Sequence, residues 1–279
     1  MGSSDTKTVL SRAKAIGLDK DGVIVNDSRL LHENLRRGFA KEAGRDFPFD
    51  LRTSYQLRGV NHKYHGGTRV VRTFIAVERW AKEMGIEPNS ALSAILDQAN
   101  PASRLDRINF DYVKHGDNVL AERIFWYDQG RFFKSEEASN FIDINPGSRE
   151  AVLGLNEIFE GRLAIISNAH SREIASRDLR RVFYDSEIKL MNVITAEDVR
   201  SPKPSPEGIN AAIERFKVRV SPSEFLFVGD AVLDIQTARN AGTMAAAVLS
   251  GVGRRTHLES AKPDAVFNDI AEIAVLARK

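Results

Sequence analysis

From residue 144 to the C-terminus, short apolar runs alternate with segments of helical period, and this alternation constrains the fold more than any other feature of the chain. A helix is expected over 148–159, with Val152, Leu155 and Phe159 on one face. An apolar strand over 163–166 follows and ends in Ser167-Asn168. Further helices are predicted over 171–181, 206–216 and 235–241, and further strands over 192–195, 225–228, 244–249 and 264–267. Strands this short and this apolar are buried on both faces, and helices between them serve as crossovers. The pattern reads as an α/β fold with a parallel, doubly wound sheet.

One more strand of this kind lies near the start, in the stretch AIGLDKDGVIV over 15–25. It runs into Asp19 and Asp21 and then Gly22. Two like charges about 4 Å apart repel by roughly 4 kcal/mol at an effective dielectric of 20. If the carboxylates converge, something cationic belongs between them. Gly22 permits a sharp turn in which backbone N–H groups face an anion. An Asp-Gly turn closing a hairpin is the plain alternative. Strand alternation would point Lys20 away from both aspartates and out of the chemistry.

Between these two parts the character changes. Helices are predicted over 30–43 (Leu31, Leu35, Phe39), 68–84 (Val70, Phe74, Val77, Ala81, Met84), 90–98 and 102–127, the last interrupted at Gly116. Residues 46–55, broken by Pro48, read as a loop. The expected organisation is a core of residues 1–25 and 146–279, with 26–145 as a helical insert.

Composition removes whole classes of function. No cysteine is present, which excludes disulfides, thiol catalysis and cysteine metal sites. A net charge of +2 argues against nucleic acid or an anionic membrane as the main partner. No apolar run approaches the roughly 20 residues a membrane span needs. The N-terminal MGSSDTKTVLSRAK has no apolar core of signal-peptide length, and its MGSS start has the shape of a myristoylation site. A disordered start and a cytoplasmic location are the expectations.

In a doubly wound sheet, functional groups gather beyond the carboxyl ends of the strands, near the switch point. Four stretches put polar residues there: Asp19-Lys20-Asp21, Ser167-Asn168, Lys203 in SPKPSPEG, and Asp230 with Asp234 in VGDAVLDIQTARNAG. Each has a plain alternative. Ser167 could cap a helix, Lys203 could be a solvated loop residue, and Asp230 and Asp234 could flank a helix N-terminus. All four in this order are much harder to explain that way.

The combination of DKDGV, IISN, SPKPSPE and VGDAVLDIQTARNAG closely resembles the haloacid dehalogenase-like phosphohydrolases, particularly the phosphoglycolate phosphatase and β-phosphoglucomutase branch. The tail SGVGRRTHLESAKPDAVFNDIAEI is similar to that branch too. The resemblance covers both ends of the chain and implies that 26–145 is a helical cap governing substrate choice.

It also implies a mechanism. Asp19 would attack phosphorus and form an aspartyl-phosphate. Mg²⁺ would be held by Asp19, the backbone carbonyl of Asp21, Asp230 and Asp234, hard oxygen donors suited to that ion. Lys203 would balance the nucleophile and the phosphoryl group. Ser167, with backbone N–H groups around Gly22 and with Asn168 in a substrate-binding part, would hold the phosphoryl oxygens. Asp21 would protonate the leaving alcohol and then deprotonate water. In the insert, Arg58-Gly59 resembles the cap specificity loop of the branch, so Arg58 is a candidate substrate contact. The other basic residues there, Arg52, Lys63, Arg69, Arg72 and Arg79, read as a solvated helix face. His32, His62, His65, His115 and His170 show no metal-like grouping.

The expected activity is Mg²⁺-dependent hydrolysis of a small phosphorylated metabolite. A phosphosugar mutase shares every core residue and stays open as the alternative, as does a non-catalytic binding member. The sequence says nothing of oligomeric state.

Overall fold

The computed structural model describes residues 3–58, 66–97, 115–127, 131–188 and 192–278. The strands are β1 (Ala15–Leu18), β2 (Val25–Asn26), β3 (Asp143–Ile144), β4 (Leu163–Ile166), β5 (Asn192–Ile194), β6 (Phe225–Gly229), β7 (Met244–Val248) and β8 (Ala265–Phe267). Six of them form one sheet in the order β5-β4-β1-β6-β7-β8. Every pairing in it is parallel, with Leu18 level with both Ile165 and Val228. β1, β4, β6 and β7 are buried along their whole length, as their unbroken apolar runs require.

The chain leaves β1 to build β4 and β5 on one side, then crosses back to build β6, β7 and β8 on the other. β1 is therefore the switch point, and the crevice at its carboxyl end opens between β4 and β6. One face of the sheet buries Ile166, Ile194, Phe225, Phe227 and Ala247 against Ile209, Ala212, Ile235 and Ala238. These last four lie on the helices Glu207–Arg215 and Val232–Ala241.

Two features depart from the sequence expectation. The start of the chain is a helix, Ser3–Arg12, rather than disordered. Val9 and Leu10 are buried, and the helix packs against β8 and the helix Ile270–Ala277. Two apolar residues in a polar run are too few to register as periodicity, yet they suffice for docking on a preformed surface. The second departure is a small antiparallel pair, β2 with β3, which joins Val25 to Ile144 across the insert in sequence.

Packing divides the chain into two compact units, 1–27 with 142–279 and 28–141. In the second, the described helices are Ser28–Ala43, Leu51–Arg58, Gly66–Glu83, Pro88–Leu96 and His115–Trp126. Residues 102–114 of the expected fourth helix lie outside the described part. Its core is aromatic: Phe39, Phe47, Phe49 and Phe74 meet at centroid distances of 5.1–5.4 Å. The helix Leu51–Arg58 begins inside the loop expected over 46–55. Pro48 ends only what precedes it, while Asp50 Oδ1 accepts from the Thr53 N–H at 2.7 Å and caps the new helix. Arg69 is 2% exposed rather than solvated. It shares a helical face with Thr73 and Val77, both buried.

Candidate active site

β1, β4 and β6 are neighbours, so the residues that follow them converge. Asp19 follows β1, Ser167 follows β4 and Asp230 follows β6. The Asp19 N–H donates to the Val228 carbonyl at 2.8 Å, which continues the ladder by one residue and fixes the aspartate against β6. Asp19 Oδ1 accepts from the Lys20 N–H at 2.7 Å and lies 2.8 Å from Lys203 Nζ. The same ammonium donates to Asp234 Oδ1 at 2.7 Å. Asp19, Asp230 and Asp234 are all buried, and each offers a carboxylate oxygen within 4.8 Å of the others.

The loops are shaped to let these groups approach. Gly22 has φ +82, and a Cβ there would lie 2.3 Å from Asp230 Cγ. A Cβ at Gly251 would lie 2.0 Å from Asp230 Oδ2. Any side chain at either position would fill the space around the carboxylates. The Gly22 carbonyl accepts from Asn145 Nδ2 at 3.0 Å and Ser250 Oγ at 2.8 Å, which pins the turn from two directions. Asp230 Oδ2 accepts from the Val252 N–H at 2.7 Å. Asp234 Oδ2 accepts from the Ala231 N–H at 3.0 Å at the start of the helix Val232–Ala241, so this residue caps a helix and joins the cluster at once.

Ser167 does not cap the next helix. Ser171 does, accepting from the Ile174 N–H at 3.2 Å. Ser167 Oγ instead accepts from the Ala169 N–H at 3.0 Å, which leaves its own proton to donate. The Asn168 amide clamps the lysine loop: Oδ1 accepts from the Lys203 N–H at 2.9 Å and Nδ2 donates to the Lys203 carbonyl at 3.3 Å. It thereby sets the position of the Lys203 side chain.

Electrostatics follow from burial. Desolvation raises the Asp19 carboxyl well above the usual range against the opposing pull of Lys203, and Asp234, Asp21 and Asp230 push it further. Burial pulls the Lys203 ammonium down, but Asp19 and Asp234 more than offset this and hold it above its ordinary value. Three buried carboxylates converge, and two of them hold the Lys203 ammonium. The excess negative charge, the hard oxygen donors and their convergence fit a small divalent cation.

Asp21 stands apart from this cluster. Its carboxylate is 29% exposed, and Lys20 Nζ donates to its Oδ1 at 2.6 Å. Lys20 is thus directed toward an aspartate, contrary to the alternation expected from a strand. β1 ends at Leu18, and beyond it the Gly22 N–H donates to the Val25 carbonyl while the Ile24 and Val25 N–H groups donate to the Lys20 carbonyl. In such a turn, side chains no longer alternate. Surrounding protein pushes the Asp21 carboxyl up to about 6 by desolvation, opposed by Lys20, with Asp27 and Asp178 adding to the rise.

Arg58 belongs to the second unit, where Nη1 donates to Ser28 Oγ at 3.0 Å. Gly59, His62, Lys63 and His65 lie outside the described residues, as does the His115 side chain. Asn145, Asp178 and Ser250 escaped the sequence reading. Asn145 and Ser250 sit in stretches that resemble the family, whereas Asp178 carries no signal, being one acid in a charged helix.

The sequence profile of the haloacid dehalogenase-like hydrolases matches residues 13–242. Pyrophosphatase PpaX of Bacillus cereus is 38% identical over 81 residues, which are 29% of this chain and 37% of that protein. The matched part therefore spans 37% of that relative's length. The fold is similar to that of a predicted phosphoglycolate phosphatase from Haemophilus somnus, with a TM-score of 0.59 and 20% identity, covering 95% of this chain and 98% of that one. It is also similar to a HAD-superfamily hydrolase, subfamily IA, variant 1, from Geobacter sulfurreducens, with a TM-score of 0.52 and 19% identity over 95% and 97% of the two chains.

Proposed function

We infer, from the premise that this chain belongs to the haloacid dehalogenase-like hydrolase family, that it hydrolyses a small phosphate monoester through an aspartyl-phosphate on Asp19. One observation carries this reading: Lys203 Nζ bridges Asp19 and Asp234 at 2.8 and 2.7 Å inside a cluster of three buried carboxylates. A carboxylate held by one ammonium, beside others able to hold a cation, suits nucleophilic attack on an anionic phosphate.

The residues divide the work. Lys203 and the Lys20 N–H fix the plane of the Asp19 carboxylate through Oδ1, so its approach to phosphorus is set before substrate arrives. Mg²⁺, held by Asp19, Asp230, Asp234 and the Asp21 backbone carbonyl, would supply the positive charge that lets a carboxylate meet a phosphate dianion. Ser167 Oγ–H donates to a phosphoryl oxygen, and from the Gly22 turn the Asp21 and Val23 N–H groups do the same, since those of Gly22, Ile24 and Val25 are engaged within the turn. Asp21, poised near pH 6, gives a proton to the leaving alcohol and later takes one from water. Asn168 acts through Lys203. Residues 28–141, with Arg58, are the proposed cap that selects substrate.

The test is a panel of phosphorylated metabolites incubated with purified protein and Mg²⁺, with free phosphate and isomerised product both measured. Diphosphate and phosphoglycolate, suggested by the names of the relatives, come first. Phosphate release lost in Asp19→Asn supports the reading. Isomer without phosphate would replace it with a mutase, and turnover by Asp19→Asn would remove Asp19 from its role.

A further inference from the structure

A second charge cluster adjoins the first, and the reaction so far uses only its Asp21. Lys20 is 2% exposed, and its Nζ donates to Asp21 Oδ1 and Asp178 Oδ2 at 2.6 Å each. Asp178 is equally buried, and its other oxygen accepts from Arg177 Nε at 2.9 Å and from Nη2. Two cations and two carboxylates thus alternate, Arg177–Asp178–Lys20–Asp21. Burying such ions is costly unless each is paired and hydrogen-bonded, and here both oxygens of Asp178 are engaged. Only the last member reaches solvent: the Asp21 side chain is 29% exposed.

We propose that Lys20, oriented by Asp178, is a positioning residue that holds Asp21 by Oδ1 so that Oδ2 exchanges the proton. An ammonium has donors only, so a proton on Asp21 Oδ1 would face a like donor, whereas Oδ2 can carry one. In the first step the Oδ2–H bond breaks and its proton goes to the leaving oxygen as the P–O(alcohol) bond breaks and the Asp19 O–P bond forms. In the second, water loses a proton to Oδ2 as its oxygen bonds phosphorus and the Asp19 O–P bond breaks. Atoms and charge balance in both. The inference rests on the phosphatase reading and adds the identity of the proton-bearing oxygen and of the group that selects it.

Lys20→Met keeps an unbranched side chain one atom shorter and removes the ammonium. Misplacing a reacting group by about 1 Å costs on the order of 10²-fold. For an alkyl phosphate, kcat in Lys20→Met is therefore expected to fall by about that factor, with KM within about twofold. The initial burst with an activated aryl phosphate, whose leaving group needs no proton, is expected to stay near the unsubstituted rate. Lys20→Arg restores a large part of the alkyl rate, and Asp178→Asn shows a smaller loss with the same alkyl-over-aryl bias. Unchanged alkyl turnover in Lys20→Met overturns the inference. So does an equal fall of the alkyl rate and the aryl burst, which marks a merely structural role. Where Lys20→Met fails to fold, Asp178→Asn decides by the same criterion. Failure of the underlying reading looks different: the unsubstituted protein then releases no phosphate, or Asp19→Asn still turns over.

Discussion

Two buried charge clusters stand side by side at the end of β1, and they are built on opposite principles. Around Asp19, Asp230 and Asp234, Lys203 bridges two of the three carboxylates, and the arrangement suits a further cation. Around Asp21, Lys20 and Arg177 are paired with Asp21 and Asp178 in a closed set of four, with Asp27 near enough to act on Asp21 from outside it. An unbalanced cluster holds its carboxylates against repulsion and gains when a ligand brings charge. A balanced one gains nothing from a ligand and instead holds a geometry. Two aspartates one residue apart can therefore serve different ends, one receiving phosphorus and the other a proton.

Substitutions can break this contrast. The largest effect is expected for Asp19→Asn, which keeps the shape of the nucleophile without its reactivity. Steady-state phosphate release should fall on the order of 10⁴–10⁶-fold. Melting temperature should hold or rise, because one member of a crowded like-charge set is neutralised. A thermal scan beside the rate measurement checks both.

Asp21→Asn should slow alkyl esters by roughly 10²–10⁴-fold. An activated aryl ester should instead give a burst of alcohol followed by slow turnover, since only dephosphorylation then needs the base. Rapid mixing reads the burst directly, and its absence would place Asp21 outside proton transfer.

Cation binding sharpens the comparison without chemistry. With Mg²⁺ at a hundredfold over its Kd, the site should gain about 2.7 kcal/mol, or roughly 5–10 °C in melting temperature. The gain should vanish with a chelator and in Asp230→Asn. It should survive in Lys20→Met, which disturbs only the closed cluster. Loss of the shift there would merge the two clusters into one.

The smallest effect concerns pH in chelator. The folded-state value of Asp21, about 6, lies above the ordinary 3.8. The stability it contributes is present below about pH 4 and lost as pH rises through about 6. The buried Asp19 is raised in the same direction, so it adds to the trend. The midpoint of urea unfolding should therefore decline over that window, and the decline should be shallower in Asp21→Asn. Aspartyl-enzyme hydrolysis should run the other way, rising with pH through about 6 as the base form appears.

Much of this site was legible beforehand, for local reasons. A short apolar run followed by a polar residue declares a strand end, and three such ends place Asp19, Ser167 and Asp230 at one crevice once the sheet is known to be parallel. Lys203 and Asp234 followed from their motifs. Within 28–141 the helix Gly66–Glu83 was plain from its period, whereas Leu51–Arg58 was hidden because its start depends on one cap at Asp50.

What the chain alone determined was therefore the periodic part: the alternation of strand and helix, the register of buried faces, and the residues left at strand ends. Those follow from contacts a few positions apart. The tertiary structure decided which charges meet. Asn168 clamps Lys203 from 35 positions away, and Lys20 finds Asp178 at a separation of 158. The Lys20 side chain turned inward because β1 stopped one residue before the first aspartate, and a buried ammonium must be partnered wherever the fold provides carboxylates. No local pattern encodes that choice, since desolvation is a property of everything packed around a group and not of its neighbours in sequence.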